Sequence, residues 1–139
     1  MNRPFLFALL TSLIWGFAPA LEKMGLRGSI DPYLGVVIRT IPIAVIALSG
    51  LVIMGRTADV ANIDLKSALF VASGGLVAGL IGQIAFYSAL KGGEASVVVP
   101  VAATYPLVAL IVSILFLGEA LTWSKAVGAV LVVSGVVLL

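Results

Sequence analysis

The sequence predicts an all-α integral membrane protein of five transmembrane helices, with its N- and C-termini on opposite sides of the bilayer. Hydrophobic residues make up 62% of the 139 positions and charged residues only 10%, against about 45–50% and about 25% in ordinary globular chains. A soluble domain of this length would expose apolar patches well beyond what soluble monomers tolerate, whereas lipid accepts them as solvent. The apolar residues gather into five runs, each near the ~20 residues that cross ~30 Å of hydrocarbon. Backbone groups in lipid must be satisfied within their own segment, and the runs lack the alternation of barrel strands, so each is a helix.

The first helix is predicted at about residues 4–21. Arg3, the apolar stretch from Phe5 and Ala18-Pro19-Ala20 also have the outline of a cleaved signal peptide. Pro19 inside the would-be cleavage motif, and the same hydrophobic pattern recurring after it, favour a first transmembrane helix. A connection from Glu22 to Pro32 holds the breakers Gly25, Gly28, Asp31 and Pro32. The second helix is predicted at about 33–54, followed by a polar connection from Gly55 to Lys66 that contains Arg56, Asp59, Asn62 and Asp64. The third is predicted at about 67–90 and the fourth at about 96–117. Lys91-Gly92-Gly93-Glu94 between them is a tight turn, which predicts an antiparallel hairpin. Gly118-Glu119 and Thr122 lead as tightly into the fifth, at about 123–139. The first and fifth runs are the short ones. Residues 1–139 read as one transmembrane domain.

Composition also narrows the chemistry. The chain has no Cys and no His, so disulfides, thiolate chemistry, zinc sites built on Cys or His and imidazole catalysis are out of reach. No metal, cofactor or enzyme activity is expected. The net charge of +2 rests on scattered residues and gives no nucleic-acid footprint, which needs clustered Lys and Arg.

Charge placement bears on orientation. With five crossings, Arg3, Arg56, Lys66 and Lys125 fall on one side, and Lys23, Arg27 and Lys91 on the other, joined by Arg39 if it reaches that interface. The positive-inside rule needs a bias, and this count has none. Either short loops make the count uninformative, or the chain inserts both ways up and two opposed copies form an inverted-repeat assembly.

Helix three carries Gly75, Gly79 and Gly82, spaced to line one stripe, and helix five repeats the idea with Ser124, Gly128 and Gly135. Such stripes let helix backbones approach closely. Pro19, Pro42, Pro100 and Pro106 each remove a backbone donor inside a predicted helix. Pro100 sits in the first turns of helix four, whereas Pro106 should bend that helix near the bilayer centre. Kinks of this kind free carbonyls, and transporters often build substrate sites there.

Ionisable residues at depth are functional candidates by default. Arg39 lies about 10 Å along helix two. It either snorkels to the interface or faces a cavity and attracts a carboxylate-bearing solute. Lys23, beside Glu22, reads as an interfacial anchor, and Glu119 as a partner for a Lys or Arg near the end of helix four. No Asp or Glu falls in the middle of a predicted helix, which argues against coupling through an embedded carboxylate. The deep uncharged candidates include Trp15, Gln83, Tyr87 and Tyr105, with Gln83 and Tyr87 four apart on one face.

Taken in order, several motifs resemble the EamA domain of the drug/metabolite transporter superfamily. They are Trp15-Gly16, Arg39, Tyr87-Ser88-Ala89-Leu90, Tyr105-Pro106-Leu107, Leu117-Gly118-Glu119-Ala120-Leu121-Thr122, then Gly128 and Gly135-Val136. The resemblance covers nearly the whole chain and is most specific from Pro106 to Gly135. It implies a secondary transporter of a small metabolite or drug-like solute. Typical members carry two such five-helix domains as inverted repeats around a central cavity, so one domain implies a paired ten-helix unit working by alternating access, an antiparallel homodimer or a pairing with a different chain of the same kind. Trp15, Arg39, Gln83, Tyr87 and Tyr105 are the expected lining residues. A multi-pass location in a prokaryotic inner membrane is expected, with the lipid bilayer and a small-molecule substrate as partners. The alternative is a non-transporting membrane subunit that pairs with another membrane protein.

Overall fold

The computed structural model describes residues 3–139, so the first two positions of the predicted domain lie outside the described residues. All regular structure among those residues is helical. Two compact units divide the chain, Met1–Gly92 and Gly93–Leu139.

The first unit opens with α1 (Arg3–Leu26), which runs past the predicted end and takes in Glu22, Lys23 and Gly25. At 24 residues it is not short, which corrects the expected boundary near Leu21. Leu26 is only 3% exposed, so carrying the helix one more turn brings an apolar side chain into the unit's core. Local breakers lose to that tertiary contact. A brief turn leads on, and Asp31 caps α2 (Pro32–Ile53) by accepting from the amides of Tyr33 at 2.9 Å and Leu34 at 3.1 Å. Pro32 in the first turn has no amide to leave unsatisfied there. The helix assignment is continuous through Pro19 in α1 and Pro42 in α2.

The predicted polar connection after α2 contains a short helix, α3 (Thr57–Ala61), with an exposed Arg56–Asp59 ion pair at 2.8 Å. Asp64 then caps α4 (Leu65–Leu76). The Ser67 amide and hydroxyl both donate to its carboxylate, at 2.9 and 3.0 Å. These bonds, the amide first, hold the Asp64 carboxyl below its usual range.

α4 runs into a π-helical turn, Val77–Gly82, and on into α5 (Gln83–Gly92). Together they form an apolar span of 28 residues. A π turn inserts an extra residue, which rotates the helix beyond it by about 100° relative to an unbroken α-helix. The stripe expected across Gly75, Gly79 and Gly82 therefore does not keep one α-helical register. A Cβ added at Gly75 or Gly79 would meet nothing within 4 Å.

In the second unit the predicted fourth helix is divided into α6 (Ala95–Ala102) and α7 (Tyr105–Leu117). The break at Ala103–Thr104 precedes Pro106, whose ring and missing amide cannot continue the preceding turn. Pro106 instead sits in the first turn of α7. Gly118 ends α7 in a left-handed conformation (φ +68°), and the Gly118 and Glu119 amides both reach the Ser113 carbonyl. Thr122 caps α8 (Trp123–Val137), and Lys125 on α8 pairs with Glu119 at 3.2 Å. Gly128 and Gly135 lie within α8, where an added Cβ would meet nothing within 4 Å.

Four segments have the length and hydropathy of a membrane span: Arg3–Leu26, Pro32–Ile53, Leu65–Gly92 and Ala95–Leu117. α8 is apolar but shorter, 15 residues, about 22 Å at 1.5 Å per residue.

Candidate functional site

α1, α2 and α5 pack against one another, and their buried side chains gather at one end. Leu26 from α1, Gly35 and Val36 from α2, and Tyr87 and Leu90 from α5 are the buried residues of these helices. Gly35 lets α2 and α5 meet. A Cβ there would stand 2.8 Å from Tyr87 Cδ2, 3.0 Å from its Cε2 and 3.1 Å from Leu26 Cδ2. The Cδ2–Cε2 edge of the Tyr87 ring thus lies against α2 at Gly35, in the space a side chain would take.

That placement aims the Tyr87 hydroxyl at Glu22. The hydroxyl donates to Glu22 Oε1 at 2.9 Å. Arg39 Nε lies 3.5 Å from the same oxygen, close enough for an ion pair and without a hydrogen bond. The Glu22 side chain is 15% exposed and that of Arg39 38%. Glu22 lies about 6 Å from the end of α1, Arg39 about 10 Å from the start of α2 and Tyr87 about 8 Å from the end of α5. All three are inside segments of membrane-spanning length, where a lone charge is costly and opposite charges pair.

Two lysines brace this end. Lys23 Nζ donates to the Leu90 carbonyl, one of the last carbonyls of α5 that lack a helical partner. Lys91 Nζ donates to the Ile30 carbonyl at 2.7 Å. Lys23, expected as an interfacial anchor, ties α1 to the end of α5.

The structure thus joins two of the predicted lining residues, Arg39 and Tyr87, through a third that sequence reasoning placed in a connection. Glu22 belongs to a stripe of α1 that also holds Trp15, Pro19 and Leu26, spaced by four, three and four residues. α2 repeats that spacing with Gly35, Arg39, Pro42 and Ile46, and α5 has Gln83, Tyr87 and Leu90. The spacing in α1 was the available signal for Glu22.

Of the other candidates, Gln83 lies beside Tyr87 on α5. Gln83 is half-buried, one turn before Tyr87 and next to the π turn. Trp15 lies about 10 Å along α1 from Glu22 on the same face and is exposed. Tyr105 begins α7 in the second unit and is exposed. A groove along Arg3, Leu6, Phe7 and Leu10 of α1 is almost wholly apolar and holds no converging polar groups. No group of three or more acidic side chains is placed to hold a metal ion among the described residues.

Comparison with known proteins adds three findings. The profile of the EamA-like transporter family matches residues 2–139. An uncharacterized protein of Methanocaldococcus jannaschii is 43% identical over 60 residues, a match covering 43% of this chain and 44% of that protein. No solved structure matches the chain.

Proposed function

The chain belongs to the EamA-like transporter family, and from that premise we propose that it is a secondary transporter of a small metabolite or drug-like solute working by alternating access. Membership and the long apolar helices make it a multi-pass membrane protein of transporter type. The observation that carries the finer reading is the Glu22–Arg39 pair with Tyr87 inside the spans. As a purely structural device it is a poor choice. Well-packed apolar residues stabilise about as well or better than a buried ion pair. A recognition site, by contrast, needs charges held ready at depth.

In this reading Arg39, Tyr87 and Gln83 line the solute path, with Trp15 offering aromatic surface farther along α1, and Tyr105 on α7 is a further solute-binding residue. Pro19, Pro42 and Pro106 are its hinges. α8 makes the fifth crossing, which puts the termini on opposite sides. A second copy, inserted the other way up, completes a ten-helix unit, and the uncovered glycines Gly75, Gly79, Gly82, Gly128 and Gly135 are its packing surfaces. The near-even split of positive charge between the two sides agrees with dual insertion. The membrane is the inner membrane of a prokaryote.

Flux tests this. Purified protein reconstituted in liposomes should exchange preloaded metabolites faster than empty liposomes do. Arg39→Gln should slow the exchange at least about tenfold, the factor for about 1.4 kcal/mol. Protein that moves no member of a broad metabolite pool, and co-purifies with a second membrane protein, would instead be a non-transporting subunit.

A further inference from the structure

We infer that the π turn Val77–Gly82 is a moving joint. At this joint α4 switches between two helical registers, about 100° apart, against a bundle of α1, α2 and α5 that stays clamped. This rests on the transporter reading above and adds the part that moves.

The two sides of the turn are held very differently. On one side, α5 packs against both α1 and α2. Its Tyr87 ring fills the space at Gly35 of α2, and the Tyr87 hydroxyl donates to Glu22 of α1. Lys23 of α1 donates to the Leu90 carbonyl, and Lys91 donates to the Ile30 carbonyl between α1 and α2. On the other side, α4 packs chiefly on the π turn itself. Apart from half-buried Ala68, its residues are exposed. Its side-chain hydrogen bonds are local, from Ser67 to Asp64 and from Ser73 to the Phe70 carbonyl. A change of register at the turn is therefore expressed as movement of α4.

The turn has two ways to satisfy its backbone. A π pattern pairs a carbonyl with the amide five residues on, and an α pattern with the amide four residues on. Conversion to α-helix would pass the Val77 carbonyl from the Gly82 amide to the Ile81 amide. Both patterns stay within the segment, as lipid demands. The conversion would turn α4 by about 100° and push it about 1.5 Å along its axis. Gly82 sets the balance. A Cβ there would stand 3.2 Å from the Val77 carbonyl oxygen, whereas one at Gly74, Gly75 or Gly79 would meet nothing within 4 Å. Glycine at position 82 thus lets that carbonyl approach as the π register requires. The turn lies in the middle of a 28-residue span, so half of the span changes the face it presents, giving the two states that alternating access needs.

Double electron–electron resonance between nitroxide pairs tests this. The chain has no natural cysteine. Ile46→Cys on α2 with Phe70→Cys, and Ile46→Cys with Val71→Cys, each place one label on the bundle and one on α4, at exposed positions. Labelled full chain, diluted into unlabelled chain, is measured in liposomes. Phe70 and Val71 are about 100° apart around α4, so a rotation that one pair misses shows in the other. With side chains about 5–6 Å from the helix axis, such a turn shifts a label by about 8 Å. In at least one pair the wild type should show two distances, the minor one about a tenth of the whole. Gly82→Ala crowds the π register and should raise the minor population at least about threefold. Deleting Ala78 removes the extra residue and leaves the flanking helices in their observed relation. Only the major distance should then remain, and flux of the metabolite pool should fall at least about tenfold. A single wild-type distance in both pairs, populations that neither variant moves, or undiminished flux through the folded, shortened chain would overturn the inference. If the shortened chain does not fold, the wild type and Gly82→Ala decide. Two registers in a chain that moves no solute would leave the joint standing and remove the transporter reading. Flux with a single register would do the reverse.

Discussion

Replacing Glu22 with leucine is expected to lower the stability of the detergent-solubilised protein by about 2–3 kcal/mol. The loss has two sources. Arg39 keeps its charge inside an apolar span without the carboxylate that lies 3.5 Å away. Tyr87, which is buried, loses the acceptor of its hydroxyl. Breaking a fully buried pair costs about 3–5 kcal/mol; the smaller value here allows for the partial exposure of Arg39. Arg39→Leu should cost a similar amount for the mirror reason. The double variant Glu22→Leu with Arg39→Leu is the informative one. Removing both charges leaves none unpaired, so its loss should fall well below the sum of the two single losses and short of wild type by about 1–2 kcal/mol, the cost of a Tyr87 hydroxyl still without its acceptor, while flux should stay abolished. Reversible unfolding in mixed micelles gives the cycle. Additive losses in the double variant would mean that the two residues do not act as a pair.

The second large effect is at Gly35. Gly35→Ala should destabilise by about 1–3 kcal/mol, because the new Cβ would stand 2.8 Å from the Tyr87 ring and the ring must move. Displacing the ring also pulls its hydroxyl from Glu22, so solute binding should weaken along with stability. Gly50→Ala in the same helix is the control. Nothing lies within 4 Å of its added Cβ, and alanine is the better helix former by about 1 kcal/mol, so this change should be neutral or stabilising. Opposite signs at two glycines of one helix would separate close packing from propensity. Equal effects would remove the special role of Gly35.

Much of the architecture was legible because the bilayer imposes a coarse, one-dimensional rule. Apolar runs of the right length mark helices, and four of the five runs correspond to segments long enough to span. The end of α1 was misjudged for a physical reason. Glu22, Lys23 and Gly25 have the local chemistry of a connection, but each charged side chain finds a partner on another helix and Leu26 finds the core. Local signals carry no information about such long-range partners. Arg39 and Tyr87 stood out because a cation and a phenol are conspicuous in apolar runs. Glu22 did not, since the boundary error had moved it out of the membrane, and with it went the possibility of an embedded carboxylate. Gly35 is a lone glycine with no stripe around it, so only the Tyr87 ring pressed against it reveals its use. The π turn was hidden as well. Val77–Gly82 reads as an ordinary small-residue stretch, and its extra residue changes register without changing composition.

The central claim is that this charged cluster opens onto a watery solute path and does not face lipid. The chain has no natural cysteine, so one introduced at Gln83 is a unique reporter one turn from Tyr87, and Glu22 and Arg39 stay intact. Reaction of Gln83→Cys with a charged, membrane-impermeant thiosulfonate, in sealed proteoliposomes, is the direct measurement. Thiols react as thiolates, which need water. The account predicts fast modification at position 83, slowed by a bound solute, and little at the exposed apolar position Ile81 in Ile81→Cys. Equal rates at the two positions, or no reaction at position 83, would contradict it.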